Sequence, residues 1–167
     1  FWDNFQDNGK REFYKFAFYY WMYEYIRPKY KVTTVDGDIQ SIFSSASKLK
    51  KVEKEYFSFS PTSTSSNNYM FLACTSLLII EDIGLFPCPY NYGTFQGCQS
   101  LHTIEAFRVS ENSMFDSTFR NCFSLETLTI DGTIGHNGFN VQWSTKISKA
   151  SWISIMTAAS PTASITI

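Results

Sequence analysis

The chain lacks most of what chemistry at a protein surface is made from. Its 167 residues hold two histidines, His102 and His136, and four cysteines, none of them in a CxxC pair. Without such a pair a thiolate zinc site is excluded in practice, and a disulfide framework has little to work with. No Gly-rich phosphate loop and no His-Glu-x-x-His pattern occurs, and Asp36-Gly-Asp38 is too short for a calcium loop. Lys and Arg together number 14 against 15 Asp and Glu and the net charge is -1, so nothing steers the chain toward nucleic acid or an anionic membrane. The longest apolar run, Met70 to Ile80, is broken by Thr75 and Ser76 and falls well short of the ~20 residues of a membrane span. A signal-peptide pattern and a starting methionine are both missing. The chain opens at Phe1 and stops inside an apparent strand, Ser164-Ile-Thr-Ile167, so it is expected to be a piece of a longer protein.

What the chain does have is a repeat. Four segments share one template: Phe43-Ser-Ser-Ala46-Ser-Lys-Leu49-Lys-Lys-Val52, Phe71-Leu-Ala-Cys74-Thr-Ser-Leu77-Leu-Ile-Ile80, Phe95-Gln-Gly-Cys98-Gln-Ser-Leu101-His-Thr-Ile104 and Phe119-Arg-Asn-Cys122-Phe-Ser-Leu125-Glu-Thr-Leu128. Phenylalanine recurs 28 residues after Phe43 and then at steps of 24, to Phe95 and Phe119. A period of ~20–50 residues is the signature of stacked repeats, in which one unit buries its inner face only against its neighbours. The expected fold is therefore an α/β solenoid, a short right-handed stack with parallel strands, one continuous domain. Within each unit the Phe-to-small stretch reads as a turn and the Leu-to-aliphatic stretch as a strand. The small residue is expected to leave room for the next unit's Phe, so Cys74, Cys98 and Cys122 read as buried free thiols. Cys88, in Pro87-Cys-Pro89, lies in a loop.

The ends differ from the middle. Residues 1–35 are an aromatic block that reads as an N-terminal cap or degenerate first repeat, since Phe18 stands 25 residues before Phe43. Ile26-Arg-Pro28-Lys-Tyr30-Lys-Val32 would be its strand. A second reading of the block is a platform on which sugar rings stack. Residues 36–135 hold the repeats, with the polar stretch 61–68 as an inserted loop and Tyr56-Phe-Ser-Phe-Ser60 as a short alternating segment. Asp131-Gly132 reads as the turn that ends the last repeat strand. Residues 136–167 read as a helix–strand cap. Its helix runs from Ser151, a candidate capping residue, to Ala159 and is stopped by Pro161, with Ile165 and Ile167 on a final strand.

Register alone assigns the candidate binding face. Residues that do not point inward along the strands fall into rows: Lys50, Leu78, His102 and Glu126; Lys51, Ile79, Thr103 and Thr127; Glu53, Glu81, Glu105 and Thr129. The last row stacks three carboxylates. It is either a solvated stripe partly neutralised by Lys50, Lys51 or Lys54, or a recognition stripe whose carboxylate pKa values are raised by like-charge neighbours. Cys98 and His102 are four residues apart, but the template turns one inward and the other outward, so they do not form a nucleophile–base pair. No catalytic, metal or cofactor residues are expected.

On these template residues the chain resembles the leucine-rich repeats of the BspA type. The closest matches are Thr94-Phe95-Gln-Gly-Cys98-Gln-Ser-Leu101-His-Thr-Ile104 and Thr118-Phe119-Arg-Asn-Cys122-Phe-Ser-Leu125-Glu-Thr-Leu128. Ala46 departs from the pattern at the Cys position, and a second Leu-x-x-Ile within each unit is missing. The flanks, from Trp2-Asp-Asn-Phe5 and from Ser148-Lys-Ala-Ser151, resemble segments beside such repeats in proteins of gut bacteria and their phages. The resemblance implies non-catalytic adhesion at a cell or virion surface, to a protein or glycan, without cofactor, nucleic acid or membrane insertion. The alternative is a structural spacer that binds only sister chains.

Overall fold

A computed structural model of the chain describes residues 41, 43–54, 68–82 and 90–167. The aromatic block 1–35, Asp36-Gly-Asp38, the segments 56–60 and 61–67 and Cys88 lie outside the described residues, and so do the expectations placed on them. The elements are β1 (Lys51–Val52), β2 (Ile79–Ile80), β3 (Thr103–Val109), β4 (Thr127–Gly132), β5 (Phe139–Asn140), α1 (Lys149–Ala158) and β6 (Ile165–Thr166). The first four form a parallel sheet in chain order, one strand per repeat, and β5 pairs parallel with β6. The architecture is α/β with an open sheet.

The template sets the register. Lys51 pairs with Ile79, Ile79 with Thr103 and Thr103 with Thr127, and the next positions align Val52, Ile80, Ile104 and Leu128. All four residues of that second row are buried, as are Leu49, Leu77, Leu101 and Leu125. Opposite them the phenylalanine rings pile up. Phe43 lies on Phe71 at 5.1 Å between centroids, Phe71 on Phe95 at 5.4 Å and Phe95 on Phe119 at 5.9 Å, with planes within 11° of parallel. Such pairs contribute ~0.5–1.5 kcal/mol each beyond their burial.

The small residue has a job that its size does not explain. The Cys74 thiol donates to the Phe43 carbonyl at 2.9 Å, Cys98 to Phe71 at 3.0 Å and Cys122 to Phe95 at 3.1 Å. Each thiol thus gives a second donor to a carbonyl of the preceding unit that already accepts from the N–H three residues on, and its own S–H finds a partner inside the core. The Ser144 hydroxyl continues the ladder by donating to the Phe119 carbonyl at 3.2 Å. Ser144 belongs to a fifth unit that the template search misses. Val141 stands for Phe, Ser144 for Cys and Ile147 for Leu, and Ser144 N–H bonds the Val141 carbonyl as Cys122 N–H bonds that of Phe119.

Two turn positions in each unit take a left-handed backbone. Two residues before the Phe stand Ser41, Tyr69, Gly93 and Ser117, with φ of 55° to 59°. Two after the Phe position stand Ser45, Ala73, Gly97, Asn121 and Trp143, with φ of 56° to 77°. Only glycine is unstrained there, so the other side chains are held in place by the neighbouring units.

Three expectations about the C-terminal part need correction. Asp131 and Gly132 are strand residues, not a turn. They pair with Arg108 and Val109, because β3 runs on past its template Ile104. Gly132 is required there, since a Cβ would sit 2.1 Å from the Val109 carbonyl oxygen. Secondly, β3 carries a bulge, with Glu105 and Ala106 together opposing Thr129, so the third row loses its one-to-one pairing there. The bulge rotates Phe107 inward, where its ring meets Phe95, Phe115 and Phe119 edge to face. Thirdly, the capping residue of α1 is Ser148 rather than Ser151: its hydroxyl accepts from Ser151 N–H at 3.2 Å. Ser151 and Ser154 instead turn toward the sheet and accept the Leu128 and Ile130 N–H groups at 2.8 and 2.9 Å. Helix α1 therefore takes the place of a fifth strand and closes the β4 edge that would otherwise stand open.

Candidate functional site

The strand face holds the residues that register singled out. Backbone bonds tie its first row together. Leu78 N–H reaches the Lys50 carbonyl at 2.8 Å, His102 that of Leu78 at 2.9 Å, Glu126 that of His102 at 3.1 Å, and Ser148 extends the series to Glu126 at 2.9 Å. Lys50, Leu78 and His102 are exposed and Glu126 is half-buried; in the second row Thr127 is exposed and Lys51, Ile79 and Thr103 are half-buried. The third row is broken at the bulge, with Glu105 and Thr129 exposed and Glu53 and Glu81 half-buried.

The charges of this face are engaged with one another. The Lys51 ammonium bridges Glu81 and, at 3.9 Å, Glu53. The His102 ring meets Glu126 at 3.1 Å. Arg108, at the far end of β3, joins Asp82 at 2.8 Å to Asp131 at 3.1 Å. The carboxylates also serve the backbone of the preceding unit. Glu81 accepts from Lys54 N–H at 3.0 Å and Glu105 from Asp82 N–H at 3.3 Å, the same offset one repeat apart. Burial works to raise the Glu81 pKa, but Lys51 and the Lys54 N–H outweigh it and hold the carboxyl below its ordinary value. The rise in carboxylate pKa that like-charge neighbours would cause is not what Glu81 shows; its shift is downward. Lys51 is shifted upward, chiefly by its bond to Glu81 and against the pull of desolvation. Cys98 is buried while His102 is exposed, so thiol and imidazole face opposite ways.

A different surface is exposed and apolar. Beyond the sheet, Tyr90 (54% exposed), Tyr92, Met114, Phe123 and Trp143 (53%) stand in the turn half of the repeats. Tyr90 bridges to Met114, and the Tyr92 ring meets Tyr69 edge on at 5.2 Å. Along the strand rows the only comparable side chain among the described residues is Leu78.

Between the fourth and fifth units the turn half opens a cavity of about 340 Å³ lined by Asp116, Ser117, Arg120, Asn140, Gln142 and Trp143. Register reasoning did not reach these residues. They lie about one repeat apart, and the unit that supplies three of them matches the template in shape and not in letters. The signal available was the spacing, since Val141 follows Phe119 by 22 residues and has a small residue three positions on. Among the described residues no group of His, Cys, Asp and Glu is arranged to hold a metal ion. Among them, too, no helix is long and apolar enough to cross a membrane. Comparison with known proteins found no family model, no curated protein and no solved structure that matches the chain.

Proposed function

We propose that the chain is a short right-handed solenoid of leucine-rich-repeat character, similar to the BspA type, and that it works as a non-catalytic module recognising a protein or glycan at a cell or virion surface. The observation that carries this reading is the asymmetry of the surface. The charges on the strand face are largely paired with one another, whereas the turn half holds Tyr90, Tyr92, Met114, Phe123 and Trp143 exposed on a backbone fixed by cross-unit bonds. Exposed aromatic and apolar side chains on a rigid support are the makings of a recognition surface.

The alternative, a spacer that associates with sister chains through its ends, draws no support from the C-terminal end. There the Ser151 and Ser154 hydroxyls already occupy the β4 N–H groups that an added strand would need. An array of glycans and surface proteins probed with the chain separates the two readings. Binding to at least one target by a monomeric chain is expected. Silence on both arrays, together with end-to-end self-association, would overturn the recognition reading in favour of the spacer.

A further inference from the structure

The cavity between the fourth and fifth units has the composition of a small polar ligand's site. Its wall is Trp143, about half exposed. Its rim holds one carboxylate, one guanidinium and two carboxamides, from Asp116, Arg120, Asn140 and Gln142. One negative and one positive charge balance, so the site does not select for a strongly charged ligand. The groups are also pre-set. Asn140 Oδ1 accepts from Gln142 N–H at 2.8 Å, which fixes the carboxamide and leaves its two N–H donors for another partner. Asp116 Oδ1 accepts from the Ser117 hydroxyl at 3.3 Å, leaving Oδ2 as an acceptor. The Arg120 side chain forms no hydrogen bond or ion pair with any described residue.

Trp143 is the least expected member. At the position where other units place Ser45, Ala73, Gly97 and Asn121, this unit puts an indole, at φ 76°. A bulky residue in the left-handed region is strained. Its half-exposed ring gains little from burial that would offset the strain. A flat apolar face beside paired carboxylate, amide and guanidinium groups suits a molecule with one apolar face and a fringe of neighbouring hydroxyls. A pyranose ring is such a molecule: its C–H face packs on the indole while adjacent hydroxyls both donate to Asp116 and accept from Asn140 or Arg120. A volume of about 340 Å³ lies at the small end of ligand sites, the scale of one ring and not of an extended chain.

We propose that Trp143, Asp116, Arg120, Asn140 and Gln142 form a binding site for a single terminal pyranose of a neutral glycan. This deepens the recognition reading by naming a ligand class, and it rests on that reading. The test is saturation-transfer NMR of the chain with the methyl glycosides of glucose, galactose and mannose, and with sialic acid as the acidic comparison. At least one neutral glycoside is expected to bind with a Kd of about a millimolar, as suits one ring with few contacts. Trp143→Gly should weaken that binding at least ~10-fold while leaving the melting temperature equal or higher, because glycine is at ease at this φ. Gln142→Ala, on an exposed side chain, is the second variant, and a ~3- to 10-fold loss is expected from one missing hydrogen bond. Binding of sialic acid alone, binding of no neutral glycoside, or full binding by both variants would overturn the site. Protein targets that survive on the array after such a failure would leave the module reading standing; silence there as well would remove both.

Discussion

The two halves of each repeat solve the same packing problem with opposite means. In the sheet half, backbone N–H groups reach back to the preceding unit, from Leu78 to Lys50 and from Glu81 to Val52. In the turn half they reach forward, from Phe43 to Met70, from Phe71 to Thr94 and from Phe95 to Thr118. The sheet half has relaxed extended backbone, aliphatic side chains inside and paired charges outside. The turn half has left-handed residues, stacked rings inside and exposed aromatics outside. An inner unit is thus bonded to both neighbours along both walls, and what differs is the direction in which these N–H groups point. Among the described residues the left-handed side chains and the exposed aromatic rings lie in the half with the phenylalanine stack, which is where recognition is proposed.

The strongest way to break the comparison is to remove a ring. Phe95→Ala should cost ~3–5 kcal/mol, because the side chain is fully buried and touches rings on both sides. Ile104→Ala, its counterpart in the sheet half, should cost ~2–5 kcal/mol and fall below Phe95→Ala. Urea unfolding of the two variants measures the difference, and a larger loss at Ile104 would mean that the sheet wall carries the stack.

At the C-terminal edge, Ser151→Ala leaves the buried Leu128 N–H without its acceptor, while the Glu126 carbonyl keeps its bond from Ser148 N–H. A loss of ~1–3 kcal/mol is expected, and less for Ser154→Ala, whose site is part-buried. The same unfolding assay reads both.

Glycine sharpens the contrast because its effect should change sign between the halves. Ala73→Gly should stabilise by about 0.5–1 kcal/mol, since relief of the left-handed backbone exceeds the added chain entropy. Thr103→Gly, on an extended strand, should destabilise by about 1 kcal/mol. Calorimetric melting of both variants checks the signs.

The smallest effect belongs to the ion pairs. Glu81→Gln should lower stability by less than ~1 kcal/mol at neutral pH, because Lys51 is 40% exposed and solvent screens the pair. Glu81 titrates lower in the folded state than its ordinary 4.5, so its contribution is complete above about that pH and is lost as the pH falls through the depressed value. Stability measured from pH 7 to pH 3 should therefore fall less steeply in Glu81→Gln than in the parent. A gain in stability at pH 7 would restore the like-charge repulsion that the Lys51 contact argues against.

These particulars show how far the repeat could be read in advance. Three strand registers and three buried thiols follow from the template, because each template letter sits where burial demands its size and polarity. The fifth unit escapes because Val141, Ser144 and Ile147 keep the shape while changing every letter. The bulge at Glu105 and Ala106, and the strand role of Asp131 and Gly132, depend on how far β3 outruns its repeat, which no local pattern records. For the site, the template spacing aligns Lys51, Ile79, Thr103 and Thr127 as the four strands pair them. It says nothing of which backbone N–H a carboxylate meets one repeat away. The Trp143 cavity arises from residues about one repeat apart in the chain, which no local pattern joins.

The account stands or falls on the thiols of Cys74, Cys98 and Cys122 occupying one continuous interior. Burial pushes Cys122 up to about 12 and Cys98 well above its usual range, so neither is a reactive thiolate at neutral pH. In a Cys88→Ala background, reaction with a small thiol reagent should be undetectable in the native state at pH 8. In rising urea all three thiols should then become reactive in a single transition that coincides with loss of the sheet. Fast labelling of any one of them in the native protein, or three separate transitions, would contradict the shared core.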